Sequence, residues 1–257
     1  MNNTHIKSFL KTLLIATITC SLSGCIYWIR AYQTYLQMNE FDQHFYTKTT
    51  DKFTLHFNDP ILFSDDFISL ANLYPTEEKS NADGKSWKYL FRKVDLKRQL
   101  IKPEVNFYSE INFNKEGKII DWAFSSLFLQ IAPPQFLDAS LRSIGGASID
   151  TEKKQLRANT ELLEKIQADL PKKEMVITHL GPPLEIIDDH ELEIYRYQFL
   201  LDTPHIDEGY EDNAFNEIKI SFDKKSQKLS KMSGNFAGLK VSIDYRDFIT
   251  VSSKETQ

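Results

Sequence analysis

Two acidic segments carry the residue types that can do metal chemistry. The first is Asp188-Asp189-His190-Glu191, whose carboxylates and imidazole could together hold a divalent ion. The second spans residues 202–212 and carries five acidic residues, among them Asp207 and Glu208 close to Tyr210. Neither segment has the ligand spacing of an EF-hand or of a His-Glu-x-x-His site. We expect the first to be a solvated turn and the second a solvated or partner-facing loop, and cation binding by 202–212 stays open.

Nucleophile and phosphate-binding motifs are absent from the sequence. There is no Gly-x-Ser-x-Gly elbow and no Gly-x-x-x-x-Gly-Lys loop. The glycines of Ser143-Ile144-Gly145-Gly146 follow a predicted helix and fit its C-terminal cap. His56 lies on the outward side of a predicted strand, and His179 lies near the C-terminus of a predicted helix, where a cation is favourable. We therefore expect both histidines to be structural. We therefore expect no enzyme and no cofactor, and the remaining enzymatic alternative is a carboxylate pair that only folding brings together.

The net charge argues against one further class of function. The sequence has 257 residues, with 31 Lys and Arg against 36 Asp and Glu, for a formal net charge of −5. Because nucleic-acid binders usually present a basic face, we expect no nucleic-acid partner. The 18 phenylalanines and 11 tyrosines favour β-rich packing.

The N-terminus contains a candidate site of covalent modification. Lys7 and Lys11 are followed by an apolar stretch, as in a bacterial secretion signal. The stretch ends in four residues that resemble the lipobox of bacterial lipoproteins: Leu22, Ser23, Gly24 and Cys25. The resemblance implies cleavage after residue 24 and acylation of Cys25. Two or three acyl chains make a stable anchor, whereas the alternative, an uncleaved membrane span, is diluted by serines and threonines.

The predicted processing has consequences for the mature chain. Loss of residues 1–24 removes two lysines and no acid, so the net charge falls from −5 to −7. Cys20 leaves with the signal and Cys25 carries lipid, which excludes thiol catalysis and cysteine metal sites. Residue 26 is Ile rather than Asp. By resemblance to enterobacterial lipoproteins, this implies the periplasmic face of the outer membrane.

Residues 25–50 predict a lipidated aromatic neck helix. Ile29, Tyr32 and Leu36 recur at helical spacing, and Trp28 and Tyr35 lie close to the same stripe. The stripe either lies at the level of the lipid headgroups or packs on the domain behind it. We take Trp28, Tyr32 and Tyr35 as one candidate partner surface, and Asp207, Glu208 and Tyr210 as another.

The rest of the chain predicts an α+β fold of two tandem units with a sheet in each. Residues 87–91 match 195–199 at an offset of 108, and 111–115 match 220–224 at an offset of 109. The units are predicted at 51–130 and 155–248, each with short helices packed on an antiparallel sheet. An amphipathic helix is expected at 155–169.

Two shorter segments separate and follow these units. The connector 131–154 is rich in apolar residues, which are expected to fill the cleft between the units, with a binding surface as the alternative. Residues 249–257 are expected to form a tail.

The second unit resembles a known family. Residues 171–183 end in Leu-Gly-Pro-Pro, and Tyr195-Arg196-Tyr197 and Ile220-Ser221-Phe222-Asp223 follow. This pattern resembles the SmpA/OmlA (BamE-like) family of outer-membrane lipoproteins, and the tandem form is similar to the β-lactamase inhibitory protein fold. The resemblance implies a lipid-anchored protein that acts by protein–protein binding, in envelope or outer-membrane protein assembly. The alternatives are an inhibitor of a secreted enzyme, and a small-ligand carrier or enzyme with an unrecognised site.

Overall fold

Alternation of apolar and polar residues folds thirteen described segments of the chain into the strands of one large sheet. The computed structural model describes residues 26–150, 152–153, 155–158, 169–236 and 239–246. The predicted signal and lipidation site, residues 1–25, and the predicted tail, 249–257, lie outside these ranges. Within them, no helix is both long enough and apolar enough to cross a bilayer.

Six α-helices and thirteen strands are defined in the described residues. The helices are α1 (26–37), α2 (Phe41–His44), α3 (Ser64–Ala71), α4 (Leu127–Ile131), α5 (Pro134–Arg142) and α6 (Lys173–Leu180). The first seven strands are β1 (Phe45–Thr49), β2 (Phe53–Phe57), β3 (Glu77–Asn81), β4 (Gly84–Lys93), β5 (Asn106–Asn114), β6 (Ile119–Phe124) and β7 (Ser148–Asp150). The others are β8 (Gln155–Ala158), β9 (Glu185–Asp189), β10 (Leu192–Asp202), β11 (Phe215–Asp223), β12 (Leu229–Phe236) and β13 (Leu239–Asp244).

The strands follow the order β1-β2-β6-β5-β4-β10-β11-β12-β13-β8-β7, with β3 added to β4 and β9 added to β10. All described pairings are antiparallel except that of β13 with β8. The chain is therefore a mixed α and β structure with a large, mainly antiparallel sheet and few helices, as the sequence predicts at this coarse level.

The sheet holds two hydrophobic cores, one in each half of the chain. Trp87 and Phe113 lie in the first, and Tyr197 and Phe222 lie in the second. These residues alternate along their strands with residues on the opposite face, which is the pattern that predicted the strands.

The two cores meet where β4 pairs with β10. Lys93 lies opposite Phe199, and Phe91 lies opposite Leu201. Leu201, at the end of β10, is buried in the first core, while Lys93, at the end of β4, reaches the end of α6 in the second half. The ends of β4 and β10 thus each contact the other half of the chain, and these contacts join the halves into one structure.

Helix α1 is fixed to the sheet region by one side. The Arg30 guanidinium binds both carboxylate oxygens of Asp66, with Nε at 3.0 and 2.9 Å. Asp66 lies in the first turn of α3, is fully buried, and also accepts a hydrogen bond from the backbone N–H of Phe63 at 2.7 Å. The Tyr35 hydroxyl donates to the carbonyl of Ala147 at 2.6 Å.

Two helix predictions are wrong over part of their length. The neck is helical at 26–37, but Phe45–Thr49 is strand β1, because Phe45 packs on Phe57 across an antiparallel pair. Residues Gln155–Ala158, predicted to begin a helix, form strand β8 beside β13. Backbone pairing at the sheet edge prevails there over a helical apolar pattern. The rest of that predicted helix, 159–168, lies outside the described residues.

Candidate functional site

One face of α1 is apolar and exposed to solvent. Trp28 is 66% exposed and Tyr32 is 57% exposed, and Ile29 and Leu36 on the same side are also exposed. An apolar patch of this kind on a soluble surface marks a site of contact with another surface. Trp28 and Tyr32 are thus exposed rather than packed on the domain. Tyr35 is half-buried: its ring lies 6.0 Å from that of Tyr32, and its hydroxyl donates to the carbonyl of Ala147 on the domain side.

The acidic loop of residues 203–210 is held in place by contacts with the first half of the chain. The Thr203 hydroxyl donates to the carbonyl of Tyr74 at 2.9 Å, and Leu73 pairs with Ile206 through a backbone bridge. Just beyond the loop, Asn213 donates to the carbonyl of Ala71 at 2.8 Å. These contacts give the loop a fixed conformation, which lowers the entropy lost on binding a partner.

The predicted loop residues differ in their exposure. Glu208 and Tyr210 are exposed, whereas Asp207 is half-buried and lies 3.0 Å from the imidazole of His205. Glu211 and Asp212 are also exposed. Together with Glu208 and Tyr210 they form a surface that we call the acidic ridge. Asp212 is paired with Arg98 at 2.8 Å. The structure therefore presents Tyr210 among exposed acids, and a basic or amphipathic surface would complement this ridge.

The acid–imidazole segment at 188–191 covers the end of β9 and the turn that leads into β10. Lys224 donates to the Asp188 carboxylate and to the carbonyl of His190, and the His190 side chain is almost fully exposed. Across the described ranges, no three His, Cys, Asp or Glu side chains come together in a way that could hold a metal. The geometry is that of a solvated turn.

An apolar cavity of about 280 Å³ lies between the sheet and helices α4, α5 and α6. The sheet contributes Phe107, Phe199 and Ile243, which come from both halves of the chain, and the helices contribute Phe128, Ile131 and Leu137. Phe128, Ile131 and Leu137 keep part of their surface accessible although they face inward. Connector residues pack on the hydrophobic cores of both halves, Phe136 in the second and Ile144 against the first, and they leave an apolar cavity beside them.

The cavity is a candidate ligand site because it is concave, apolar and lined from both halves of the chain. Sequence reasoning missed it, because only the excess of apolar residues in the connector pointed to it.

Polar groups in the cavity wall are bonded within the protein. The Ser140 hydroxyl lies 2.8 Å from the carbonyl of Phe136 and 3.2 Å from the Tyr245 hydroxyl. Burial raises the pKa of the Tyr245 phenol, which stays neutral. Among the described residues that line the cavity, these two hydroxyls are the polar side-chain groups.

A second, polar cleft of about 730 Å³ lies beside the apolar cavity. Its lining includes His190, Glu191 and Arg246, and it shares Leu229 and Tyr245 with the cavity. The acid–imidazole segment 188–191 therefore contributes to a cleft that is lined by both acidic and basic side chains.

Lys93 is the most buried cation of the described residues, with 2% of its surface exposed. Its ammonium donates to the carbonyls of Leu180 and Pro182, each at 2.6 Å, and thereby caps the end of α6. Burial lowers the pKa of the Lys93 ammonium. Lys93 is not part of the cavity lining, so its contacts indicate a structural clamp between the two halves.

Comparison with known proteins adds no information about this site. No protein-family model, no curated protein and no solved structure matches this chain.

Proposed function

We propose that this chain is a lipid-anchored protein on the periplasmic face of the bacterial outer membrane, and that it acts by binding another envelope protein. The observation that carries the proposal is the exposed apolar face of α1. Residue 26, the neighbour of the predicted lipidation site Cys25, lies in that helix, and the other side of the helix is tied to the sheet region. An acyl anchor and an amphipathic helix together give stable membrane attachment.

The anchor and the acidic ridge have separate roles in this proposal. The anchor confines the protein to the membrane surface and so raises its effective concentration for a membrane-associated partner. The ridge around Glu208 and Tyr210 supplies the contact, because an exposed tyrosine on a fixed loop is a typical anchor residue of protein interfaces. No enzymatic step is part of the proposed mechanism.

We also propose that the chain is a tandem duplication. The order α3-β3-β4-β5-β6 in the first half corresponds to α6-β9-β10-β11-β12 in the second, and each pair of elements starts 108 to 110 positions apart. The β4–β10 register supports this, since Arg92 lies opposite Leu200, its own equivalent at an offset of 108. The pairing is therefore symmetric about that position. Membership of the SmpA/OmlA family remains a proposal that rests on the sequence motifs.

The position of α1 on the membrane can be measured with Trp28. In vesicles of brominated phosphatidylcholine, the fluorescence of the full lipidated protein should be quenched, because an exposed interfacial tryptophan lies near the acyl chains. Trp28→Phe should abolish the quenching. Trp122→Phe is the matched control, and it should keep the quenching because Trp122 packs on Phe67 and Phe124 within the protein. Equal quenching in both variants would refute the membrane-facing orientation.

Partner binding can be tested by photo-crosslinking in cells. Benzoylphenylalanine in place of Tyr210 should give a protein adduct of defined mass, because this side chain projects from the acidic ridge. The control is the same substitution at Ile120, an exposed residue on β6. Absence of a Tyr210 adduct, or equal adducts at both positions, would contradict the proposed interface. A secreted enzyme in the adduct would instead favour the inhibitor alternative.

A further inference from the structure

The apolar cavity restricts the chemistry of any ligand that it holds. Its wall combines aromatic and aliphatic side chains from the sheet and from α4, α5 and α6. The wall has two hydroxyl groups, those of Ser140 and Tyr245, which are hydrogen-bonded to each other. The Ser140 hydroxyl is also bonded to the Phe136 carbonyl. With no charged side chain in the described lining, the cavity offers nothing to recognise an ion or a sugar.

The size and extent of the cavity favour a chain over a compact ring system. Its lining runs across the sheet from Phe53 on β2 to Ile243 on β13. The cavity volume of about 280 Å³ is close to the lower end of the range for small-ligand pockets, about 300–1,000 Å³. A linear chain with many rotatable bonds can follow a lining that spans several strands.

We infer that this cavity binds a single long hydrocarbon chain. Such a chain replaces an empty void with van der Waals contacts along both walls, and it requires no polar partner. The inference goes beyond partner binding, and it rests on the proposed membrane attachment only for the supply of the chain. The chain could come from a free membrane lipid or from the protein's own anchor at Cys25, and both present the same chemistry to the cavity.

The test uses palmitate that carries a photoreactive diazirine and is added to membranes containing the full-length protein. After irradiation, labelled peptides should map to residues 127–144, which contain α4 and α5. Excess unlabelled palmitate should remove the label. Labelling of wild type identifies a free lipid as the source. Labelling that appears only in Cys25→Ser identifies the anchor, whose chain would otherwise occupy the cavity.

Two variants make the result specific to the cavity. Leu137→Trp places extra volume in the cavity and should lose the label, and Met232→Phe is a milder filling variant in case the first folds poorly. Ile149→Trp, at an exposed position on β7, should label as wild type. No label at 127–144 in wild type and Cys25→Ser, or undiminished label in both filled variants, would overturn the inference. The Tyr210 crosslink does not depend on the cavity, so the two proposals fail independently.

Discussion

Lys93→Met should lower the free energy of unfolding by about 3 kcal/mol, because a buried and a partly buried carbonyl lose their donor. Methionine matches the length of the lysine stem but cannot donate to the carbonyls of Leu180 and Pro182. Removal of a desolvated charge offsets only part of this loss, since the backbone acceptors cannot be removed with it. Urea unfolding of both proteins measures the difference.

The control for this prediction is an exposed lysine. Lys115 lies in the turn between β5 and β6, and Lys115→Met should change stability by less than about 0.5 kcal/mol. A loss of similar size in the two variants would show that Lys93 does not clamp the halves.

The stability difference should also depend on pH. Because burial lowers the pKa of Lys93 below its ordinary value of 10.5, the unfolded chain binds more protons at this group in the interval between the two values. Wild type should therefore gain stability relative to Lys93→Met as pH rises through that interval up to 10.5. A difference that stays constant with pH would contradict the proposed burial of the ammonium.

Arg30→Leu should release α1 from the sheet region and cost about 3–5 kcal/mol, the usual effect of breaking a buried ion pair. The Asp66 carboxylate, which is fully buried, would keep only the N–H of Phe63 as a partner. Release of α1 should appear as faster proteolysis at 26–37, and the loss of stability as a lower denaturation midpoint.

Two further variants separate the ion pair from general damage. Arg30→Leu combined with Asp66→Leu removes both charges and should recover most of the stability, apart from about 1 kcal/mol for the lost cap of α3. Arg98→Leu breaks an exposed pair with Asp212 and should cost less than about 1 kcal/mol. If the double variant is as unstable as Arg30→Leu, the unpaired carboxylate is not the cause.

The aromatic strands could be predicted from sequence because their signal is local. Tyr195, Tyr197 and Phe199 alternate along their strand with more polar residues, and each of the three is buried. Strand β8 could not be predicted in this way. Its four residues continue an apolar helical pattern, and their conformation depends on pairing with β13, which lies more than 80 positions later.

The candidate site was predictable only in part. The helical spacing of Trp28 and Tyr32 predicted a shared stripe but not its exposure, and the hydroxyl of Tyr35 is bonded to a carbonyl 112 positions away. The cavity depends on how closely α4 and α5 approach the sheet, which no local pattern specifies. Tertiary distances of this kind decide whether apolar residues fill a core or line a void.

The intact mass of the protein purified from the outer-membrane fraction tests the lipid anchor directly. The purified chain should begin at Cys25 and carry two or three acyl groups, and a Cys25→Ala variant should lack them. A chain that still contains residues 1–24, or one that begins at Cys25 without added lipid, would contradict the central claim that this protein is held at the membrane by a lipid anchor.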